Sequence, residues 1–387
     1  MEKRHIIVLG AGVAGLAAAR ALALRGAKVT LFEQAEAIAE VGAGLQISPN
    51  GAVVLQALGL GEAFESLSLR TEAVELRDGF NGALVTRLEV AKLRPDAGWR
   101  FVHRADLIDL LAQGARAAGV EIRLLQKVSG LDLSGERPVV LMATGARHEA
   151  DLVIGADGLH SPSRIALNGM AQPFFTKQVA WRALLPATPE DPALAEVHMG
   201  HGCHLVSYPL RGGLLRNIVA VQERDSWAAE GWAERDDPQN LRNAFKDFSP
   251  KVQGWLEKVD QVWLWGLFRH EVARHWVRRL PQGAAALIGD AAHPTLPFLA
   301  QGANMALEDA YSLTLALEAG GDLLAWQNAR APRCRKIVEA ANKNARNYHL
   351  RGPIRPLAHM VMRLGGRLAP DLALSRFDWI YHHDVTA

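Results

Sequence analysis

The chain has 387 residues, is 49% hydrophobic and 22% charged, and carries a formal net charge of +2 with no run of like charge. That balance fits a globular protein of two or three subdomains and gives no footprint for nucleic acid or an anionic membrane. No signal peptide precedes the first strand, no apolar run reaches membrane-spanning length, and Cys203 and Cys334 make no disulfide framework, so a cytoplasmic setting is expected.

The first predicted element is a buried strand, His5-Ile6-Ile7-Val8-Leu9, running into Gly10-Ala11-Gly12-Val13-Ala14-Gly15. A helix with Leu16, Ala19 and Leu22 follows. A second strand, Lys28-Val29-Thr30-Leu31-Phe32, then ends at Glu33. The glycines differ in what they permit. Gly10 allows a tight turn, Gly12 close backbone approach to a pyrophosphate, and Gly15 helix–strand packing. The helix start offers unpaired N–H groups to phosphate, and Glu33 sits where an acid accepts from a ribose and repels a 2′-phosphate. A dinucleotide is the expected ligand.

Gly42-Ala43-Gly44-Leu45-Gln46-Ile47 precedes a short helix over 50–58. Arg100-Phe101-Val102-His103-Arg104 ends a strand before a helix over 106–118. Short strands are predicted at 120–125, 128–133, 139–143 and 151–155, the last leading into Ala156-Asp157-Gly158. From about residue 170 the character changes. Trp181, Trp227, Trp232, Trp255, Trp263, Trp265 and Trp276 crowd a stretch of alternating strands at 180–185, 204–208 and 217–221. A buried strand over 284–288 then delivers Gly289-Asp290, a helix over 304–317 follows, and the tail reads as largely helical. The expected division is a split nucleotide domain, 1–170 and 283–320, around an inserted aromatic-rich substrate domain, 171–282, with a helical C-terminal region, 321–387.

The stretch Gly289-Asp290-Ala291-Ala292-His293-Pro294, continuing through Gln301-Gly302-Ala303-Asn304 into Glu308-Asp309-Ala310, lies almost three hundred residues beyond the fingerprint. Two such elements imply a cofactor long enough to touch both. FAD has that length.

The three motifs together resemble the single-component (group A) flavoprotein aromatic hydroxylases of the para-hydroxybenzoate hydroxylase fold. Within them the chain is most similar to the salicylate hydroxylase, 3-hydroxybenzoate 6-hydroxylase and 6-hydroxynicotinate 3-monooxygenase branch. The fingerprint is one motif. The second is Asp151-Leu152-Val153-Ile154-Gly155-Ala156-Asp157-Gly158 with Ser161, Ser163 and Arg164, and the third is the Gly289-Asp290 stretch with Leu299-Ala300-Gln301-Gly302-Ala303-Asn304-Met305. Trp181-Arg182, Tyr208-Pro209-Leu210 and Phe377-Asp378-Trp379-Ile380-Tyr381 are secondary matches. The resemblance spans the chain. It implies an α/β fold with a Rossmann-like, GR2-type FAD-binding domain.

What the resemblance implies for individual residues follows. Gly10, Gly12, Val13, Gly15 and Glu33 would hold the ADP half of FAD, and Val128 would offer main chain to the adenine. Arg104 would reach the phosphate or ribityl region, and Asp290 the ribityl hydroxyls. Asp157 and Gly158 belong to a motif tied to both FAD and NAD(P)H. Gly302, Ala303 and Asn304 would turn helix N–H groups toward the flavin N1–C2 carbonyl. The implied reaction consumes NADH or NADPH and O2 and transfers oxygen from a flavin C4a-hydroperoxide to a small hydroxylated aromatic or N-heteroaromatic ring. His204, in the branch's Gly-x-x-x-His spacing before Tyr-Pro, would act as base. Tyr208 would share its strand face by period two, and Gln301 would orient the substrate hydroxyl. Gln46 departs from the hydroxynicotinate group, which has histidine there.

A flavin-dependent halogenase and a non-oxygenating flavin reductase are the alternatives on this fold. Trp263-Leu264-Trp265 lacks the Ile-Pro that a halogenase would add. No metal is expected, because His201-Gly202-Cys203-His204 has no distant partner cluster. A monomer or homodimer is expected.

Overall fold

The computed structural model describes residues 4–38, 43–92, 98–225, 234–368 and 375–387, so Gly42, Trp227 and Trp232 lie outside the described residues. A six-stranded sheet runs in the order Val277–Leu280, Gly283–Leu287, Leu152–Gly155, His5–Leu9, Lys28–Phe32, Glu121–Arg123. All its pairings are parallel except that of the edge strand Val277–Leu280. A parallel sheet must be covered on both faces, which is why its strands are continuous apolar runs: Ile6, Ile7 and Val8 are all fully buried. Helices Val13–Ala23 and Gly302–Glu318 cover one face, with Leu16, Leu22, Ala310 and Leu313 in a common core. A three-stranded meander, Val128–Asp132, Val139–Met142 and Arg147–Glu149, covers the other, where Val140 and Met142 meet Ile7, Leu9 and Val153.

The second sheet has eight strands in the order Arg235–Asp236, Val262–Arg269, Phe174–Pro186, Leu215–Glu223, Cys203–Leu210, Leu194–Met199, Ala73–Asp78, Leu84–Leu88. Its last two strands come from the first 170 residues, and Ala73–Asp78 pairs in parallel with Leu194–Met199. The sheet therefore extends beyond the stretch 171–282, and the edge strand Val277–Leu280 within that stretch belongs to the first sheet. Such long-range pairings leave no local pattern in the sequence.

Strand alternation in this sheet decides which residues face the site. Trp181, Leu205, Ile218 and Ala220 point to one side, where helices Pro238–Ala244 and Pro250–Leu256 bring Leu241, Val252 and Trp255. Ala180, Val219, Val221, Trp265 and Leu267 point to the other, toward Leu296 and Phe298. The C-terminal part comprises the long helix Leu323–Tyr348, which contains Pro332, and the helix Ile354–Leu368. Among the described residues no helix is long and apolar enough to cross a membrane.

Candidate active site

A cavity of about 1440 Å³ runs from the fingerprint turn to the inner face of the eight-stranded sheet. Pockets for single small ligands occupy about 300–1,000 Å³, so this space suits a dinucleotide and a ring substrate together. Gly10, Gly12, Val13, Glu33, Val128, Asp157 and Gly158 line one end. Gly10 has a φ of +98°, and a Cβ there would lie 2.5 Å from the Ala156 carbonyl oxygen, so only glycine lets the second motif close on the first. At Gly12 a Cβ would meet nothing within 4 Å, which leaves open space where a pyrophosphate needs it. Gly15 lies outside the cavity wall and packs so closely on Gly10 that a Cβ would sit 1.9 Å from its carbonyl oxygen.

Helix Val13–Ala23 has no side-chain cap and no acid in its first turn. Its N–H groups and positive dipole end are thus left for an anion. Glu33 accepts hydrogen bonds from Ala11 N at 2.7 Å and Ala35 N at 2.9 Å, which fixes its carboxylate beside the turn. Asp157 accepts from Ser163 N at 3.0 Å, Ser163 Oγ at 2.7 Å and Ser161 Oγ, bracing the start of helix Pro162–Asn168. Burial pushes its carboxyl up despite those bonds.

Asp290, Arg104, Gly302 and Ala303 line the cavity further along. Asp290 keeps accessible surface in the cavity wall although it lies deep within the protein. Burial accordingly raises its pKa above the usual carboxylate value, and His293, Arg104 and His270 oppose that rise. Burial lowers Arg104, and Asp290 counters it. Helix Gly302–Glu318 also begins without a side-chain cap or a first-turn acid. Two uncapped helix starts therefore face one cavity.

Asn304 is fully buried and absent from the wall. Its Oδ1 accepts from Ser48 N at 3.0 Å, and its Nδ2 donates to Gln46 O at 3.1 Å and Ala300 O at 2.8 Å. It clamps the helix start to strand Gly44–Ile47. Gln301 does reach the wall, but Nε2 donates to Ser48 Oγ at 2.9 Å and Oε1 accepts from Asn50 Nδ2 at 3.1 Å. That side chain is committed to protein partners. Gln46 is in the wall, with Oε1 held by Trp99 Nε1 at 3.1 Å.

On the sheet side, His204, Val206 and Tyr208 line the cavity together, as strand alternation requires. Tyr208 stacks on Phe101 with centroids 4.9 Å apart, and a Cβ on Gly44 would lie 2.5 Å from its ring. Burial raises the Tyr208 phenol well above its usual range, so it stays a donor. Arg182 lies over Trp265, 4.8 Å from the ring centroid, and burial pulls its pKa down to about 10.

His204 is 2% exposed and sits among Phe298, Tyr348 and His349. Its Nδ1 lies 2.7 Å from His349 Nε2. Burial, reinforced by His349, keeps its pKa well below the ordinary histidine value, so the ring is a neutral acceptor at pH 7. His349 lies 145 residues away, and no motif around it marks it in the sequence. Arg182 belongs to the Trp181-Arg182 match, which by itself implies no role for it.

Among the described residues, one His/Cys/Asp/Glu group has metal-ligand spacing: His293, Asp309 and Cys334, with ligand atoms within 4.8 Å of one another. Arg330 already donates to Asp309 Oδ1 at 2.8 Å and to Cys334 Sγ at 3.6 Å, so a divalent cation there would sit against a guanidinium.

The family profile described as FAD binding domain matches residues 3–341. A 3-amino-4-hydroxybenzoate 2-monooxygenase of Streptomyces platensis is 32% identical, with 98% of this chain and 96% of that protein covered. A 3-hydroxybenzoate 6-hydroxylase of Klebsiella oxytoca is also 32% identical, over 92% of each chain. Among solved structures, a salicylate hydroxylase substrate complex superposes with a TM-score of 0.82 over 99% of this chain and 96% of that one, at 24% identity, a likeness of fold.

Proposed function

The chain belongs to the FAD binding domain family and is an FAD-dependent aromatic monooxygenase; within that activity we propose that it hydroxylates a phenolic ring held against His204 and Tyr208, with NADH or NADPH as electron donor. One observation carries the reading. A single cavity joins two uncapped helix starts to a sheet wall bearing a neutral buried imidazole, a protonated phenol and a guanidinium.

FAD, when bound, supplies the oxygen activation and the electrons' path. The residues do the rest. Gly12 and the helix start behind it would receive the pyrophosphate, Glu33 the ribose, and Asp290 the ribityl hydroxyls, while Gly302 and Ala303 present N–H groups at the ring end. His204 takes the substrate hydroxyl proton, because an ionised phenol is the more electron-rich nucleophile. Tyr208, fixed by Phe101 and Gly44, donates to the substrate from the same wall, about 13 Å along the strand from His204. Arg182 suits a ring carboxylate, which the two relatives' named substrates both carry. The apolar wall of Val206, Val219 and Leu267 excludes water from the reacting carbon. Gln301 acts by holding the helix start through Ser48 and Asn50, in place of orienting the substrate. The buried, unpaired Cys203 and Cys334 accord with a cytoplasmic protein.

Asp290→Ala tests the cofactor half. Loss of a charged hydrogen-bond partner costs about 1.5–3 kcal/mol, or about 10- to 100-fold in affinity. The variant should purify folded but pale, and the wild type should release FAD, not FMN, on denaturation. Flavin content equal to wild type in the variant would overturn this assignment. Turnover against a panel of hydroxybenzoates and hydroxypyridine carboxylates, with product analysis, tests the substrate half.

A further inference from the structure

We propose that His349 and Glu223 form a proton relay that carries the substrate's hydroxyl proton from His204 to the protein surface. The inference rests on His204 as the base. Three groups stand in line: His204 Nδ1 lies 2.7 Å from His349 Nε2, and His349 Nδ1 lies 3.0 Å from Glu223 Oε1. The line starts in the cavity wall and ends in solvent. His204 is 2% exposed and lines the cavity, His349 is 5% exposed, and the Glu223 side chain is 37% exposed.

Hydrogen-bond chemistry fixes the tautomers along this line. A carboxylate only accepts, so His349 Nδ1 carries the hydrogen toward Glu223. A neutral His349 then has a bare Nε2, which accepts from His204 Nδ1–H. That leaves His204 Nε2 bare on the cavity side, where a substrate hydroxyl would lie. One concerted shift follows. The substrate O–H bond breaks and a proton joins His204 Nε2; the Nδ1 proton of His204 passes to His349 Nε2; the Nδ1 proton of His349 passes to Glu223. One O–H bond is lost and one carboxyl O–H bond is formed, with no change of redox state. Solvent then takes the proton from Glu223. The same path in reverse returns a proton and resets both tautomers.

The surroundings favour transfer over storage. Burial lowers both imidazoles, so neither ring holds a positive charge well. Titratable groups facing the line include Tyr348, packed on His204, Arg351, paired with Glu223, and Cys203, whose thiol burial pushes up to about 11. Burial pushes Tyr348 up to about 12, so it stays protonated and does not compete for the proton. Arg351 disfavours a lasting charge on His349 and holds the outer end of the relay. Without an exit, the proton would remain on a buried ring beside the phenolate. His349 and Glu223 are positioning residues: they act through His204 and do not touch the substrate.

The test uses the FAD-loaded full-length enzyme and a nitrophenol, whose phenolate absorbs apart from its phenol. In stopped flow at a pH below the probe's own pKa, the wild type should bind the phenol and develop the phenolate signal. His349→Ala should bind the probe with unchanged affinity but generate phenolate about 100-fold more slowly, the low end for loss of a positioned acid–base group. Added imidazole should restore the rate by occupying the vacated space. His349→Gln, which keeps side-chain volume and hydrogen bonding but cannot relay, should be slow in the same way, and Glu223→Gln slow without imidazole rescue. Wild-type rates in both His349 variants, with His204→Ala slow, would overturn the relay while leaving His204 as the base. A wild-type rate in His204→Ala would overturn the base assignment itself. A slow His349→Ala that imidazole fails to rescue would assign His349 a structural role and likewise overturn the relay.

Discussion

Replacing His204 by alanine is expected to lower the hydroxylation rate by about two to four powers of ten, the usual contribution of a positioned base, with FAD retained. His204 lies in the sheet wall, away from the fingerprint and the Gly289-Asp290 turn, so the cofactor contacts remain. NAD(P)H oxidation should continue, with hydrogen peroxide in place of product, because an un-ionised phenol intercepts activated oxygen poorly. The pH dependence carries a definite sign. Without the imidazole, ionisation falls to the substrate's own phenol, with an ordinary pKa near 10. Hydroxylation by His204→Ala should therefore rise steadily as pH increases toward that value, where the wild type is already at its plateau. Product yield per NAD(P)H and its pH profile are the readouts. Coupling equal to wild type with the same profile would make His204 an ordinary strand histidine.

Arg330→Met should destabilise the fold by about 3–5 kcal/mol, the range for breaking a buried ion pair from one side. Glu308 and Asp309 are both fully buried, and Arg330 meets them at 2.7 and 2.8 Å. Arg333 reaches Glu308 at 2.7 Å and also holds the Trp379 carbonyl at 2.6 Å, which ties the C-terminal turn to the network. Asp309 pairs with His293 as well and accepts from Gly289 N at 3.0 Å, so the network supports the turn that presents Asp290. Methionine fills the volume but leaves Glu308 to Arg333 and Asp309 to His293, so each buried carboxylate loses one cation.

The network also sets a pH dependence. Burial raises Glu308 and Asp309, but the surrounding cations outweigh it and hold both below their usual values. Their contribution is therefore complete above the ordinary carboxylate range and is lost as pH falls through the depressed values. Chemical denaturation midpoints, with and without added FAD, measure the change. A variant within about 0.5 kcal/mol of wild type, the span of ordinary surface substitutions, would show that the network contributes little.

Much of this architecture was legible because its signals are local. The fingerprint needs only six consecutive residues, Gly10 to Gly15, whose conformations are set by the next strand and helix. The strand carrying His204 and Tyr208 announces itself by alternation, and period two puts both on one face without reference to any other part of the chain. Gly289-Asp290 follows a buried strand in the same way. What failed to show is non-local. The strands Ala73–Asp78 and Leu84–Leu88 join the second sheet only because Leu194–Met199 is there to pair with them. His349 meets His204 across 145 residues, and Arg330 meets Asp309 from a helix whose own pattern is merely amphipathic. Side-chain direction at a helix start is similarly hidden. Gln301 and Asn304 sit at the right place, yet Ser48, Asn50 and Gln46 draw both amides inward.

The most direct measurement is the fate of oxygen: turnover of the FAD-loaded protein with NAD(P)H, a hydroxybenzoate panel and isotopically labelled O2. At least one phenolic substrate should become a ring-hydroxylated product bearing one labelled oxygen atom for each NAD(P)H consumed. Oxidation of NAD(P)H that yields only hydrogen peroxide with every phenol tested, with no label in any ring, would contradict it.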